Sequence, residues 1–170
     1  MSPQTQASSR QVDGPLLKVT DLRTAFRTDR GLVKSVDGVS FTLDRGKSLG
    51  IVGESGSGKT VLSRSIMGLL PKRNTERSGS VVFEGQEIIN LSLSERRKVW
   101  GKEMSMIFQD PMSALNPVYT IGNQLIEVAE LHLGLHGKAA WGRALQALVE
   151  VGVPSPEERM NAYPHQLSGG

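Results

Sequence analysis

Hydrophobic and polar positions alternate strictly in one early segment of the chain. Val39, Phe41 and Leu43 are separated by Ser40 and Thr42, a period of two that predicts a strand with one buried face. Weaker patterns of the same kind, bounded by turn residues, predict further strands. These lie at residues 16–20, 23–28, 80–83 and 86–89, the last two as a hairpin around Glu84 and Gly85. The front of the chain is therefore predicted to be rich in β-structure.

Two short and nearly all-apolar runs indicate strands of another type. Residues 48–52 and 104–108 lack the alternation of a half-exposed strand, as expected for central strands that are covered on both faces. The first run leads into a helical pattern that begins after Gly58 and is predicted to reach about Leu70, where Pro71 would stop it.

Helical periodicity dominates from about residue 115 onward. Apolar residues recur there in two stripes at helical spacing. The first stripe is Ile121, Leu125, Val128 and His132 after an N-cap at Thr120, and the second is Trp141, Leu145, Leu148 and Val149 before Gly152 and Pro154. Two shorter helices are predicted, one capped by Ser94 and one over residues 156–160.

Composition narrows the class of protein. The chain has 170 residues, 38% hydrophobic and 22% charged, with a net charge of +3 and no cysteine. A chain of this length can bury a hydrophobic core. The small net charge does not favour a nucleic-acid partner. The absence of cysteine excludes disulfides and thiolate metal sites. The basic clusters at 72–73 and 96–98 are predicted to be solvated surface. Residues 1–14 are predicted to form a disordered tail and not a secretion signal.

A complete GxxxxGK[ST] phosphate loop lies between the apolar run at 48–52 and the helical pattern. Its glycines allow a tight turn in which backbone N–H groups and the start of the helix face an anion. Lys59 is placed to reach the β- and γ-phosphates, and Thr60 to ligate Mg²⁺. The predicted nucleotide-binding residues are Gly53, Glu54, Ser55, Gly56, Ser57, Gly58, Lys59 and Thr60, with no catalytic role for Glu54. The alternative is a Gly- and Ser-rich surface turn.

The predicted binding set ends at Thr60. Position 61 is occupied by Val61 and not by a threonine. A valine side chain has no oxygen that could bind a phosphate or a metal ion, so residue 61 is assigned no role in the site.

Three further features accompany the phosphate loop. They are residues 107–117 (IFQDPMSALNP), residues 163–170 (YPHQLSGG) and the upstream aromatic residue Phe26. Together these motifs resemble the ATP-binding subunits of ABC transporters, from about residue 16 to residue 170. The amino-acid sequence of residues 107–117 resembles that of the dipeptide and oligopeptide importer branch. This branch includes close relatives that import nickel or glutathione.

The resemblance implies roles for these residues. Gln109 would coordinate Mg²⁺ and position the attacking water, so that Lys59 and Gln109 are the catalytic candidates and Thr60 and Gln109 the metal ligands. Phe26 would stack on adenine. Ser168, Gly169 and Gly170, within the family's LSGG signature, would contact the ATP held by a partner subunit. The alternatives are an ordinary strand-end amide for Gln109 and a core position for Phe26.

The family's other catalytic parts, an apolar strand ending in Asp-Glu and a later switch His, would follow Gly170. We therefore expect a fragment, a truncated gene product or an incomplete sequence of a longer ATPase, with negligible ATP hydrolysis on its own. A chain that exposes strand edges is also expected to be marginally stable.

These inferences define an α/β fold of the P-loop NTPase, ABC ATPase type, with an antiparallel β subdomain, an α-helical subdomain and the C-terminal half missing. Residues 15–114 would form the ATP-binding core and 115–170 the helical subdomain. The predicted function is Mg-ATP binding and hydrolysis coupled to peptide import. The predicted partners are a second ATPase subunit (identical or paralogous), membrane-spanning permease subunits and, indirectly, a solute-binding protein, at the cytoplasmic face of the inner membrane. The alternatives are a non-hydrolysing nucleotide-binding fragment, a soluble ABC ATPase of DNA repair or translation, and, least favoured, a small-molecule kinase.

Overall fold

The computed structural model describes residues 14–110 and 114–167. The chain divides into two compact units, with the boundary between Lys98 and Val99. The first unit contains the β-structure and the phosphate loop, and the second is helical. Among the described residues, no helix combines the length and apolar character needed to cross a bilayer.

An antiparallel four-stranded sheet forms the first unit, in the order β2-β1-β3-β4. Its strands are β1 (Leu17–Thr28), β2 (Gly31–Leu43), β3 (Thr75–Phe83) and β4 (Gln86–Glu87). The predicted alternation in β2 is confirmed, because Ser40 and Thr42 are exposed while Val39, Phe41 and Leu43 are partly covered. The predicted hairpin is also confirmed, although β4 is shorter than the pattern 86–89 indicated. Glu84 and Gly85 join its strands with φ of 48° and 80°, which is the conformation of a tight two-residue hairpin turn.

The two strands predicted at 16–20 and 23–28 are a single strand, β1, so the division between them was wrong. The pairing of β1 with both neighbours shifts register near Asp21, which has a φ of 46°. The N–H of Asp21 donates a hydrogen bond to Ser40 Oγ at 2.8 Å, and this side chain replaces the missing ladder bond. The strand therefore continues through an irregularity that the sequence pattern shows as a break.

Helix α1 (Lys59–Met67) packs on the sheet through a buried pair of hydroxyl groups, Ser65 Oγ and Thr24 Oγ1, which lie 2.8 Å apart. The helix ends earlier than Leu70, because Gly68 adopts a left-handed φ of 68° and its N–H bonds back to the helix. Pro71 is therefore not what stops it. The buried apolar residues of the unit include Val19, Leu22, Leu62, Ile66 and Val81.

Helix α2 (Leu93–Val99) is capped by Ser92 and not by Ser94. The N–H of Glu95 donates to Ser92 Oγ at 3.4 Å, and the N–H of Ser92 donates to Glu95 Oε2 at 2.8 Å. These reciprocal bonds make a capping box, which needs Ser and Glu three residues apart. Ser92 and Glu95 meet that spacing, so the cap lies earlier in the chain than predicted.

Three helices form the second unit: α3 (Ile121–Leu133), α4 (Lys138–Glu150) and α5 (Pro156–Met160). The Thr120 cap is confirmed, since Thr120 Oγ1 accepts a bond from the N–H of Asn123 at 3.2 Å. The stripe predicted for α4 lies within that helix, with Leu145 and Leu148 partly covered and Trp141 42% exposed, while the fully buried residues of α4 are Ala140 and Ala144. The contact between α3 and α5 is also close, because a Cβ on Gly122 would lie 2.5 Å from Met160 O. A residue as small as glycine allows this close approach of the two helices.

The two all-apolar runs do not form the central strands predicted for them. Residues 48–52 have no strand partner among the described residues, and an isolated parallel bridge between Trp100 and Met104 is the one pairing at 104–108. Val52 and Ile107 are each 93% exposed. A strand exists only through its ladder of hydrogen bonds, so apolar character alone does not define one here.

Candidate functional site

The phosphate loop joins residue 52 to α1 and is held by backbone geometry. Gly56 and Gly58 have φ of 80° and 92°, and the N–H of Ser57 donates to Glu54 O at 3.2 Å. A Cβ on Gly58 would lie 2.1 Å from the backbone oxygen of Ser35 in β2. Glycine is therefore required at this position both for its φ and for the close approach of the loop to the sheet.

The ammonium group of Lys59 lies inside the curve of the loop. Its Nζ donates to Gly53 O and Glu54 O, each at 2.6 Å, and to Ser57 Oγ at 3.3 Å. An ammonium group has three N–H donors and no acceptor, so three oxygens of the loop surround it. The loop thus fixes the position of this one positive charge through its own oxygens.

The start of α1 is open to an anion. No side chain of the described residues caps the helix at Gly58, and its first turn contains no acidic residue. The first N–H groups of a helix have no partner within the helix, and together with its dipole they attract negative charge. The side chain of Thr60, in this first turn, is exposed.

Thr60 supplies the hydroxyl group in the first turn of α1. The next residue is not a second threonine. Residue 61 is Val61, whose side chain is partly covered. Its carbonyl oxygen accepts a hydrogen bond from Ser65 Oγ at 2.6 Å. Val61 therefore takes part in the packing of α1 and offers no side-chain ligand, so any metal ligand in this turn must come from Thr60.

Phe26 lies on the same face of the sheet as α1. It is two residues beyond Thr24, whose side chain bonds to Ser65 of α1, and alternate residues of a strand share a face. Phe26 pairs with Val33 of β2, two residues from Ser35, which touches Gly58. The structure therefore brings Phe26 and the phosphate loop to the same region of the first unit, with Phe26 half-buried.

The remaining predicted site residues lie elsewhere in the chain. Gln109 is exposed in a bend of the second unit. Ser168, Gly169 and Gly170 lie outside the described residues. The structure thus brings together the loop and Phe26 but places Gln109 in the other unit.

The sequence did not predict that Arg77 and Arg96 lie together near the C-terminal end of α1. Arg96 was predicted as solvated surface but is only 7% exposed, so that prediction was wrong. Burial, and then repulsion from Arg96, lower the pKa of Arg77. A run of three basic residues resembles an exposed face in the sequence, and no pattern shows that the first of them turns inward.

Comparison with known proteins decides the family. The sequence pattern of the family described as ABC transporter matches residues 36–170. The chain belongs to the ABC transporter family. The recognition made from the phosphate loop, residues 107–117 and the LSGG signature is therefore confirmed.

Several curated relatives carry names of import proteins. A putative peptide import ATP-binding protein of Brucella abortus is 46% identical over 156 residues, which cover 92% of this chain and 47% of that protein. The oligopeptide transport ATP-binding protein OppD of Bacillus subtilis is 47% identical, with 91% of this chain and 44% of that protein covered. The dipeptide transport ATP-binding protein DppD of the same organism is also 47% identical, covering 91% of this chain and 47% of that protein. The chain thus spans about half the length of the curated relatives it matches.

The fold matches solved ATP-binding cassettes. A dimeric post-hydrolysis structure of the cassette MJ0796, bound to ADP and Pi, superposes with a TM-score of 0.76 at 22% identity. The match covers 90% of this chain and 63% of that one. The α/β fold of the ABC ATPase type is therefore confirmed.

Proposed function

We propose that this chain is the nucleotide-binding part of an ABC importer for peptides. The observation that carries the proposal is the position of Lys59, whose ammonium is surrounded by loop oxygens beside the uncapped start of α1. The names of relatives at 46–47% identity, which refer to peptide, oligopeptide and dipeptide transport, support the substrate class.

The phosphate loop would bind the triphosphate of ATP through charge and backbone donors. On binding, the ammonium of Lys59 would exchange its hydrogen bonds to Gly53 O and Glu54 O for contacts with the β- and γ-phosphates, and N–H groups of residues 53–60 would complete the cradle. The close packing of Gly58 against Ser35 fixes the loop on the sheet. Phe26 would then place its ring against the adenine base, where a flat apolar surface binds without reading hydrogen bonds.

Thr60 and Gln109 supply the kinds of oxygen that Mg²⁺ prefers, a hydroxyl and a carboxamide. Among the described residues, no group of three or more His, Asp or Glu side chains could hold a metal ion. The hydroxyl of Thr60 fits a metal that takes most of its ligands from phosphates and water. When bound, Mg²⁺ would neutralise developing charge on the phosphates, while Gln109 would orient the water.

The wider assembly follows from the family. A second ATPase subunit would meet the ATP through its signature motif, corresponding to Ser168, Gly169 and Gly170 here. Permease subunits would bind the helical part at the cytoplasmic face of the membrane and would receive the solute from a binding protein. The division of function between residues 15–114 and residues 115–170 stays a prediction.

A nucleotide titration of matched variants tests the proposal. Lys59→Ala should weaken binding of a fluorescent ATP analogue in the presence of Mg²⁺ by about tenfold or more, because a hydrogen bond to a charged group contributes about 1.5–3 kcal/mol. Lys47→Ala is the control, since it removes the same charge from an exposed site six residues before the loop. Equal affinity of the two variants, with circular dichroism showing both folded, would refute the proposal.

A further inference from the structure

A second basic site lies in the first unit, away from the phosphate loop. A cavity of about 250 Å³ opens between the C-terminal end of α1 and the start of α2. Its polar lining consists of Lys72, Thr75, Arg77, Asn90 and Arg96. No acidic side chain lines it. We call it the Arg77–Arg96 pocket.

The two arginines converge on the same backbone. Arg96 donates to Gly68 O at 2.6 Å and to Ile89 O at 2.9 Å. Arg77 donates to Ser65 O at 3.2 Å and also to Ile89 O at 3.4 Å. Two guanidinium groups thus share one carbonyl oxygen, an arrangement that brings like charges together.

Their charge is not balanced by the described part of the chain. None of Lys72, Arg77 and Arg96 forms an ion pair with a described residue. The carbonyls at the end of α1 carry roughly half an elementary charge in total, which is less than that of either arginine. Buried charges are ordinarily paired, so the buried Arg96 and the half-buried Arg77, with the exposed Lys72 at the rim, favour an anion within the cavity.

Unused donors accompany this excess charge. Among the described residues, the Nε–H of Arg96 and the hydroxyl of Thr75 are buried without a hydrogen-bond partner. The exposed fraction of Arg96 is only 7%. Such orphaned polar groups are costly, and the Asn90 amide and the Lys72 ammonium add further donors at the rim of the same cavity.

We propose that the Arg77–Arg96 pocket binds a small tetrahedral oxyanion of the phosphate class. Donors from two guanidiniums and an ammonium suit an anion with several oxygens and a charge near two, which a single carboxylate does not offer. The pocket is distinct from the phosphate loop because α1 separates them. Nine helical residues span about 13 Å, so one phosphate group cannot occupy both sites.

Nuclear magnetic resonance can observe the two sites separately. The full chain is titrated with inorganic phosphate at constant ionic strength, while the Nε–Hε signals of Arg77 and Arg96 and the amide signals of residues 53–60 are followed. The expected result is a saturable shift of the arginine signals. Shifts confined to residues 53–60, or arginine shifts that sodium chloride reproduces, would overturn the proposal.

Three variants refine the test. Arg77→Gln should weaken phosphate binding at the arginine signals by about tenfold or more, and Lys72→Gln by about two- to fivefold as an exposed partner. Arg73→Gln, the matched control, removes the same charge from the exposed neighbour of Lys72 that does not line the cavity. If Arg77→Gln does not fold, the comparison of Lys72→Gln with Arg73→Gln decides, and equal affinities would contradict the proposal.

Two further ligands identify the anion. Glycerol 3-phosphate binding more tightly than inorganic phosphate would indicate a phosphorylated small molecule, and the reverse order would indicate free phosphate; either result supports the site. Acetate binding as tightly as both would reject the tetrahedral class.

Discussion

Replacing Gly58 with alanine tests the contact on which the phosphate loop depends. The new Cβ would lie 2.1 Å from Ser35 O, whereas ordinary contact begins at about 3.4 Å, so the backbone would have to move by about 1.3 Å. Holding alanine at a φ of 92° costs about 1–3 kcal/mol. Overpacking against a rigid backbone atom adds about 1–3 kcal/mol. The free energy of unfolding should therefore fall by about 2–6 kcal/mol, a large part of the 5–15 kcal/mol typical of a domain.

Gly56→Ala is the matched control. Gly56 has a similar φ of 80°, but a Cβ there would meet no atom within 4 Å. It should lose only the conformational part, about 1–3 kcal/mol. Urea unfolding followed by circular dichroism measures both variants, and the midpoint of Gly58→Ala should lie lower by about 0.3–1 M or more. If Gly58→Ala is no less stable than Gly56→Ala, the close approach of loop and sheet does not exist in solution.

Three further predictions concern the first unit. Ser65→Ala should lower the free energy of unfolding by about 1–3 kcal/mol because it leaves Thr24 Oγ1 buried without its partner. Adding Thr24→Val should recover part of that loss. A double-mutant cycle in urea measures the coupling between the two side chains. Burial raises the pKa of Glu87, but hydrogen bonds from Ser80 and from backbone N–H groups outweigh it and hold that pKa below its ordinary value. The stability from Glu87 should therefore be present above the ordinary pKa of Glu and be lost as pH falls through the lower folded value. Thermal unfolding from pH 7 to pH 3 should show a smaller acid loss for Glu87→Gln than for the parent, and parallel curves would contradict this. Phe26→Ala should weaken binding of the ATP analogue by about 1–3 kcal/mol while leaving binding of inorganic triphosphate unchanged; an equal loss for both ligands would place Phe26 in the core.

Features that depend on neighbouring residues were predictable from the sequence. The alternation around Phe41, the cap at Thr120 and the hairpin at Glu84 and Gly85 each depend on a few consecutive side chains, and the structure confirms all three. The phosphate loop belongs to the same class, since eight consecutive residues define it. The sequence is sufficient to predict a structural feature when the residues that interact to form it lie within a few positions of one another.

Features that depend on distant partners were not predictable. The inward position of Arg96 depends on carbonyls at Gly68 and Ile89, up to 28 residues away. The continuity of β1 through Asp21 depends on a hydroxyl from the next strand. Residues 48–52 have the composition of a central strand, but a strand needs a neighbour that the run itself cannot specify.

The exposed run at 48–52 leads directly into the phosphate loop, and the two sides of that loop are anchored unequally. On the downstream side, α1 is attached to the sheet at Thr24 and Ser65 and the loop meets Ser35. On the upstream side, no strand ladder among the described residues restrains Val52. Any polypeptide that hydrogen-bonds to 48–52 would therefore stiffen Gly53 and Glu54, whose oxygens surround the Lys59 ammonium. Binding of a polypeptide to 48–52 is therefore expected to change the affinity for nucleotide, and nucleotide is expected to change the affinity for that polypeptide by the same factor.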